Sequence, residues 1–438
     1  MFREWFEQWG NANSGNRRES GHKGIPGFRG GSLPGPTGGA MSADWEELSI
    51  PERNAKFASL SKMERDALAD PENSILKNQA DILKGAGDRP TSGTPRSAIA
   101  ERLKKIGDLV TLESAGLISK VANETDAELS KLGVDEDSRR ALVMEMVDTM
   151  ASQDYEAMSR TLGDHGSYHL EGDARMAQDL LRVIPGADTP RNNALVNMAA
   201  AFHDTGYMTP PSKIFMDGEH PHWSQMHFDA NIRPMVEKAL GPEFGKQLSG
   251  MIATHADTTI DYKDPAATAF RLSDNLALFH REKMPPVFRN VPDNISVLKN
   301  LGMGKVDVKT AQTQMISNIN KAGLSKKVSG ALRKSITELS GFTPKVALGM
   351  LAGDVHKVDW AGDHVSVSLY RNSQAKELQK TLDLGAKQFL KFSKAYGMDS
   401  SQLENTGFAE LKSGNQTVLD MRVIGEALRS LLQTMVSG

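Results

Sequence analysis

The histidines of this 438-residue chain are concentrated in one region. Eight of the eleven lie between residues 165 and 280, and the chain contains no cysteine. These eight are His165, His169, His203, His220, His222, His227, His255 and His280. Without thiolates the chain cannot form disulfides, zinc–cysteine fingers or iron–sulfur clusters, and it has no cysteine nucleophile. Any bound metal must therefore be held by His, Asp or Glu.

An adjacent imidazole and carboxylate, His203 and Asp204, end an apolar helical segment just before Gly206. Neighbouring helical residues point about 100° apart, so both can serve one site only where a helix ends or several helices converge. Further ligands lie on separate predicted segments: His169, His227, His255 and Asp274. Together these residues supply four imidazoles and two carboxylates. Such a set suits two closely spaced iron or manganese ions, bridged by a carboxylate, better than it suits a structural zinc ion.

The elements that must position these ligands are helices. Residues 136–290 form a series of helical segments with almost no strand signal. Residues 44–135 are also predicted to be helical, interrupted by a linker at 85–97 that is rich in Gly and Pro. A charged helical connector is expected at 291–345. The sequence therefore predicts a mainly α protein.

The N-terminal residues 1–43 differ from this helical centre. Aromatic residues recur there at the spacing of one helical face: Phe2, Trp5, Phe6 and Trp9. A segment dense in glycine and proline follows, and its composition predicts a disordered tether. The aromatic helix, residues 2–9, is expected either to dock on a protein partner or to fold back onto the chain's own surface.

In the C-terminal residues 346–438 the spacing of apolar residues changes from that of a helix to that of a strand. Val365, Val367 and Leu369 alternate with polar residues after an Ala-Gly-Asp turn, which predicts a hairpin. A long amphipathic helix is expected to follow it. This region is predicted to form a small α+β accessory domain.

Composition excludes several classes of partner. The chain has 52 basic and 55 acidic side chains, so no bulk charge attracts it to nucleic acid or to anionic lipid. No apolar run approaches the roughly 18 residues that span a bilayer, and the N-terminus lacks the apolar core of a signal peptide. A cytoplasmic location is therefore expected.

The pattern of His169, His203-Asp204 and Asp274 resembles the HD superfamily of metal-dependent phosphohydrolases, over about residues 160–290. Within that superfamily the stretch HDTGYMTPPSKIF is most similar to the HD-GYP group of cyclic dinucleotide phosphodiesterases, with Pro211 and Ile214 at matching places. The resemblance implies an HD-type helical bundle. It also implies two divalent ions, iron or manganese, that activate water for attack on phosphorus.

The resemblance also implies a role for each ligand. His169, His203, Asp204 and Asp274 would hold the first ion. Asp204 would bridge to a second ion, which His227 and His255 would hold. The alternative ligand for the second ion is His220, because His220-Pro221 with Ser224 resembles an HPxxS element of many HD proteins. We favour His227, because it lies inside a predicted helix and at a more suitable distance from His255.

Several positions depart from the HD-GYP pattern. Tyr207 stands where the pattern has a lysine, which removes a cation that binds phosphate. His165 stands where the group often has a glutamate, and could be a further ligand. His255 is not paired with a second histidine, and no Gly-Tyr-Pro follows it. His222 is either a general acid for the leaving oxygen or a solvated residue. Four cations are candidates to replace the missing lysine in clamping phosphate: Lys213, Arg271, Arg281 and Lys283.

These observations predict a metal-dependent phosphohydrolase that acts on a phosphomonoester or phosphodiester, with nucleotides and cyclic dinucleotides among the candidate substrates. Two other functions stay open: a non-catalytic regulatory or signalling module, and an HD-type diiron oxygenase.

Overall fold

The chain is described here from a computed structural model. The described residues are 71–159, 165–209, 212–256, 263–276, 286–302, 304–337, 355–361, 364–369, 391, 394–397, 408–413 and 416–422. This part of the chain is mainly helical, as the sequence predicts. The aromatic segment 2–9 and its tether lie outside the described residues.

Six α-helices of the described residues precede the His-Asp pair. They are α1 (Pro71–Ile82), α2 (Pro95–Lys105), α3 (Leu112–Lys131), α4 (Glu136–Met158), α5 (Ser167–Val183) and α6 (Pro190–Phe202). The side chains of Thr94, Thr111, Asp135 and Thr189 cap α2, α3, α4 and α6. Each accepts a hydrogen bond from a backbone N–H of the first turn, which would otherwise have no partner in the helix.

Eight further α-helices follow that pair among the described residues. They are α7 (Ser212–His227), α8 (Arg233–Leu240), α9 (Pro242–Thr254), α10 (Pro265–Leu276), α11 (Pro286–Arg289), α12 (Asp293–Gly302), α13 (Val308–Lys321) and α14 (Lys326–Thr337). A short 3-10 helix (Thr205–Met208) connects the His-Asp pair to the segment that leads to α7, and a π-helical segment (Phe228–Ile232) joins α7 to α8.

One hydrophobic core extends from Ile82 to Leu272. It includes buried side chains from both sides of residue 135, so the core crosses the predicted boundary between the helical N-terminal region and the ligand-bearing region. A second cluster joins Met158, at the end of α4, to side chains between Val287 and Ile336. The predicted connector 291–345 therefore contributes packed helices with their own small core.

Residues 85–97 differ from the linker that their composition predicts. Ala86 is buried in the main core. The Arg89 guanidinium lies 2.6 Å from Asp148 Oδ2 and 2.7 Å from Glu145 Oε2, both on α4. Arg102 of α2 also donates to the backbone carbonyls of Ala86 and Gly87. Ion pairs and backbone hydrogen bonds thus fix a segment whose glycines and prolines suggest flexibility.

Four strands form one antiparallel sheet in the order β1-β2-β4-β3. They are β1 (Val355–Ala361), β2 (His364–Leu369), β3 (Phe408–Ser413) and β4 (Gln416–Arg422). The β1–β2 pair lies on the alternating segment that predicts a hairpin, with Trp360 opposite Val365. The amphipathic helix expected after it falls mostly outside the described residues, so the α+β accessory domain stays a prediction. None of the described helices has the length and apolar composition needed to cross a bilayer.

Candidate metal centre

The ends of several helices meet around Asp204. His203 follows the last residue of α6, and His255 follows the last residue of α9. His169 lies in the first turn of α5, and Asp274 lies near the end of α10. Residues 19 to 105 positions apart in sequence thus reach one point in space, because helices α5, α6, α9 and α10 share the main core.

The start of α5 is held by a neighbouring helix. Gly166 at its N-cap has no side chain to offer, and Asp154 of α4 takes over that role. The Ser167 backbone N–H and hydroxyl donate to Asp154 Oδ1 at 3.0 and 2.7 Å. Since Asp154 is buried, this contact fixes where α5 begins, and with it His169 one half-turn later.

The two oxygens of Asp204 address different imidazoles. Oδ2 lies 2.8 Å from His165 Nδ1, 3.1 Å from His169 Nε2 and 3.3 Å from His203 Nε2. Oδ1 lies 3.4 Å from His220 Nε2 and 3.5 Å from His255 Nε2. The carboxylate therefore stands between two groups of nitrogen atoms, as a bridging ligand would.

Within each group, two imidazole nitrogens face one another. His169 Nε2 and His203 Nε2 are 3.2 Å apart, and His220 Nε2 and His255 Nε2 are 2.9 Å apart. Asp274 Oδ1 joins the first group, at 3.6 Å from His169 Nε2 and 3.8 Å from His203 Nε2. Two ligand atoms about 2.1 Å from one ion and at right angles to each other lie about 3.0 Å apart. These separations fit atoms that share an ion.

The opposite ring nitrogens are already engaged, which directs the Nε2 lone pairs into the site. His203 Nδ1 donates to the Ala200 carbonyl at 3.0 Å, and His255 Nδ1 donates to the Ile252 carbonyl at 2.7 Å. A ring that donates through Nδ1 in its neutral form has an unprotonated Nε2. Where both rings of a pair carry their proton on Nδ1, their Nε2 lone pairs face each other at these distances, and a shared cation relieves that repulsion. The donor set therefore fits a metal.

Asp173 is a residue that the sequence analysis missed. It is fully buried on α5, one turn after His169, and its Oδ2 lies 3.2 Å from His169 Nδ1. A carboxylate behind a ligating imidazole fixes the ring's tautomer and orientation and raises its basicity. The sequence marks Asp173 only by its position four residues after His169. That spacing does not distinguish it from any other aspartate on a helix.

Three overlapping sets of these residues could hold a metal ion. They are His169, Asp173, His203 and Asp274; His165, His169 and Asp204; and His203, Asp204 and His255. In each set the ligand atoms lie within 4.8 Å of one another.

Electrostatics in the cluster also favour a cation. Burial alone lowers the pKa of His203, but the carboxylates of Asp204, Asp274 and Asp173 outweigh it and raise that pKa to about 10. Burial raises the pKa of Asp204, whereas His203 and His165 hold it well below its usual value. The carboxylates therefore favour positive charge in this buried site, as a metal ion would supply.

The register of α7 is set by a close contact with Gly206. A Cβ on Gly206 would overlap the His220 carbonyl oxygen and lie 2.9 Å from its Cα. The Gly206 backbone N–H donates to the buried Ser224 hydroxyl at 2.8 Å. The turn after Asp204 thus packs against α7 at His220. The HPxxS element supplies both the His220 imidazole and Ser224, the serine that anchors α7 to this turn.

The second group therefore contains His220 and not the favoured His227. The two residues are seven positions apart in α7, so they share a face of the helix but lie about 10 Å apart along its axis. Because His220 lies against Asp204, His227 lies away from the cluster around Asp204. It is buried elsewhere, with no hydrogen bond at Nε2 among the described residues, and burial lowers its pKa to about 4.

The other candidate residues have different outcomes. His222 follows His220 by two positions, about 200° around α7, and no contact with Asp204 is seen. It is half-buried, which lowers its pKa. Arg271 lies three residues before Asp274 on α10. Lys213 lies in the first turn of α7 with its side chain outside the described residues. Arg281, Lys283 and His280 also lie outside them.

A small cleft leads to Asp204. Its lining includes Gln153 and Glu156 of α4, together with His165, Tyr207 and Met208. Its volume of about 10 Å³ is room for roughly one water molecule. The His165 side chain is 27% exposed, whereas those of His169, His203 and Asp204 are at most 2% exposed. His165 is therefore the imidazole of the first group that solvent reaches most easily.

Comparison of the chain with known protein families, curated proteins and solved structures finds no match.

Proposed function

We propose that this protein is a metal-dependent phosphohydrolase with two divalent ions, iron or manganese, held on either side of Asp204. The observation that carries the proposal is the division of Asp204's oxygens between two groups of imidazoles. A carboxylate that faces ligands on both sides suits a pair of ions about 3.5–4 Å apart. Such a pair lowers the pKa of water and neutralises charge that builds up on a phosphoryl group.

The resemblance to the HD superfamily supports the same assignment. Each position of its minimal pattern is occupied, by His169, His203, Asp204 and Asp274, and these side chains lie together. His169, His203, Asp204 and Asp274 would hold one ion. His220, His255 and Asp204 would hold the other, and His220 takes the place first given to His227.

Other residues of the chain would orient these ligands or add to them. Asp173 keeps the Nε2 atom of His169 turned into the site. His165 lines the cleft with its Nδ1 2.8 Å from Asp204 Oδ2, and it would be a further ligand of the first ion. Main-chain carbonyls of Ala200 and Ile252 fix the rings of His203 and His255. The proposed substrate is a phosphomonoester or phosphodiester, which includes nucleotides and cyclic dinucleotides.

The test is phosphate or phosphomonoester release from a panel of esters, with purified full-length protein loaded with Mn²⁺ or, without oxygen, with Fe²⁺. The panel contains an aryl phosphate, nucleoside monophosphates, a cyclic mononucleotide and a cyclic dinucleotide. We expect turnover of at least one ester, abolished by chelation and by Asp204→Asn. Protein that binds both ions and cleaves no ester would overturn the proposal and favour a regulatory module. Oxygen consumption with an organic substrate, without phosphate release, would instead favour the diiron oxygenase.

A further inference from the structure

Tyr207 makes unusually close contact with two histidines of the cluster. Its ring centroid lies 4.0 Å from that of His165, with 29° between the planes, and 4.2 Å from that of His220, with 22° between the planes. Both pairs are stacked rather than edge-to-face. Since a phenol ring has room for one stacked ring at this distance on each face, the tyrosine lies between the two imidazoles.

These two imidazoles serve opposite sides of Asp204. His165 contacts Oδ2, and His220 contacts Oδ1. Tyr207 is held in place itself, because it belongs to the 3-10 helix that begins directly after Asp204. The neighbouring Gly206 is pinned to α7 through Ser224 and His220. One aromatic ring therefore spans the two halves of the site.

The strength of this stacking depends on whether a metal is bound. An imidazole that shares its lone pair with a cation becomes electron-poor, and an electron-poor ring is attracted more strongly to the electron-rich face of a phenol. By reciprocity, a contact that strengthens when an ion binds also increases the affinity for that ion. A ring that contacts an imidazole on each side contributes to the affinity of both halves.

We propose that Tyr207 is a positioning residue for the metal centre, which clamps His165 and His220 and thereby couples ion binding on the two sides of Asp204. This inference rests on the proposed metal-dependent function, and it concerns ion affinity rather than turnover. The HD-GYP pattern has a lysine at this position, which binds phosphate. Tyr207 would instead support the metal ligands.

The experiment is calorimetric titration of metal-free, full-length protein with Mn²⁺. Tyr207→Leu removes both stacked contacts and should weaken Mn²⁺ binding by about 10- to 100-fold, on the scale of two aromatic pairs. Tyr207→Phe keeps both contacts and should bind within about twofold of the original protein. Tyr155→Leu is the matched control, because it removes a half-buried tyrosine of α4 that packs on the core and contacts none of these histidines. It should also bind within about twofold.

A second variant, Tyr207→Lys, covers the case in which Tyr207→Leu fails to fold, and should weaken binding to a similar degree. Unchanged Mn²⁺ affinity in a folded Tyr207→Leu or Tyr207→Lys protein would overturn the inference. An equal loss of Mn²⁺ affinity in Tyr207→Phe would also overturn the inference, because the loss would then not depend on the aromatic ring. Tight Mn²⁺ binding without any ester hydrolysis would contradict the proposed function and leave this inference intact. If the unaltered protein binds no Mn²⁺, both fail.

Discussion

Two buried aspartates of this protein are surrounded by nitrogen atoms of different kinds. Asp148 on α4 pairs with two guanidinium groups: Arg102 Nε lies 2.6 Å from its Oδ1, and Arg89 Nε lies 2.6 Å from its Oδ2. Asp204 lies among imidazoles instead. Both carboxylates are almost completely removed from solvent. Only the first is neutralised by side chains that are always charged.

The difference indicates what each carboxylate is for. A guanidinium carries its charge at every relevant pH and donates several hydrogen bonds, so Asp148 is satisfied within the chain. Three of the imidazoles around Asp204, those of His203, His255 and His169, have their Nδ1 atoms against a carbonyl or a carboxylate and their Nε2 atoms directed inward. That arrangement presents lone pairs, which a cation from outside satisfies. Asp148 therefore stabilises the fold, whereas the surroundings of Asp204 suit the metal ions that we propose.

The largest expected effect comes from Asp204→Asn. This change removes the charge of the bridge while keeping its shape, so we expect Mn²⁺ binding to be lost on both sides and ester hydrolysis to fall by about a thousandfold or more. A saturating metal should also stabilise the unaltered protein, by about 3 kcal/mol at 100 times the dissociation constant. Thermal unfolding with and without Mn²⁺ checks this, and a variant that keeps the metal-dependent shift would contradict the assigned bridge.

Asp148→Asn should give the reverse pattern. Loss of one partner of a buried ion pair leaves Arg102 uncompensated, and the free energy of unfolding should fall by about 3–5 kcal/mol. The metal-dependent stabilisation should persist in whatever protein remains folded. Denaturant titration measures the first effect, with Glu101→Gln as the control: it breaks an exposed pair with Lys105 and should cost less than about 1 kcal/mol. Equal losses in the two variants would mean that burial of Asp148 is not decisive.

His227 sharpens the comparison because it is buried but belongs to neither group. Its pKa is about 4 in the folded protein against an ordinary value of 6.5, so the unfolded chain binds the proton more readily. The stability contributed by neutral His227 is complete above about pH 6.5 and is lost as the pH falls towards 4, by up to about 3 kcal/mol.

Unfolding free energies of the metal-free protein and of His227→Leu, compared at pH 7.5 and pH 4.5, isolate this contribution. The unaltered protein should lose more stability on acidification than the variant. Identical pH dependence in the two proteins would show that His227 is solvated or already paired.

The smallest of these effects separates His220 from His227 as a ligand. His220→Ala should remove one of two Mn²⁺ ions, because the Oδ1 side of Asp204 would retain only His255. His227→Ala should leave the number of bound ions unchanged. Atomic absorption of protein dialysed at a fixed Mn²⁺ concentration gives the count. The opposite result would restore the assignment first made from the sequence.

The sequence was sufficient to name much of the set that converges. His169, His203, Asp204, His255 and Asp274 stand at helix ends or beside them, and their residue types alone suggest metal ligation. The mainly helical fold follows from the spacing of apolar residues. Both inferences use information that is local to one helix.

The remaining features depend on contacts between helices. His220 and His227 share a face of α7, so periodicity cannot separate them, and the choice is made by the close approach of Gly206 to His220. Asp173 resembles any helical acid until α5 is placed beside His203. The linker predicted at 85–97 is held by Arg89 and Arg102, and neither contact can be read from a stretch of glycine and proline.

Electron paramagnetic resonance of the Mn²⁺-loaded protein tests the central claim most directly. If Asp204 bridges two ions, full-length protein should bind two Mn²⁺ per chain, and their spectrum should show exchange coupling between ions about 3.5–4 Å apart. Asp204→Asn should show no coupled signal. A single bound ion with the six-line spectrum of isolated Mn²⁺, or two ions without coupling, would contradict the account.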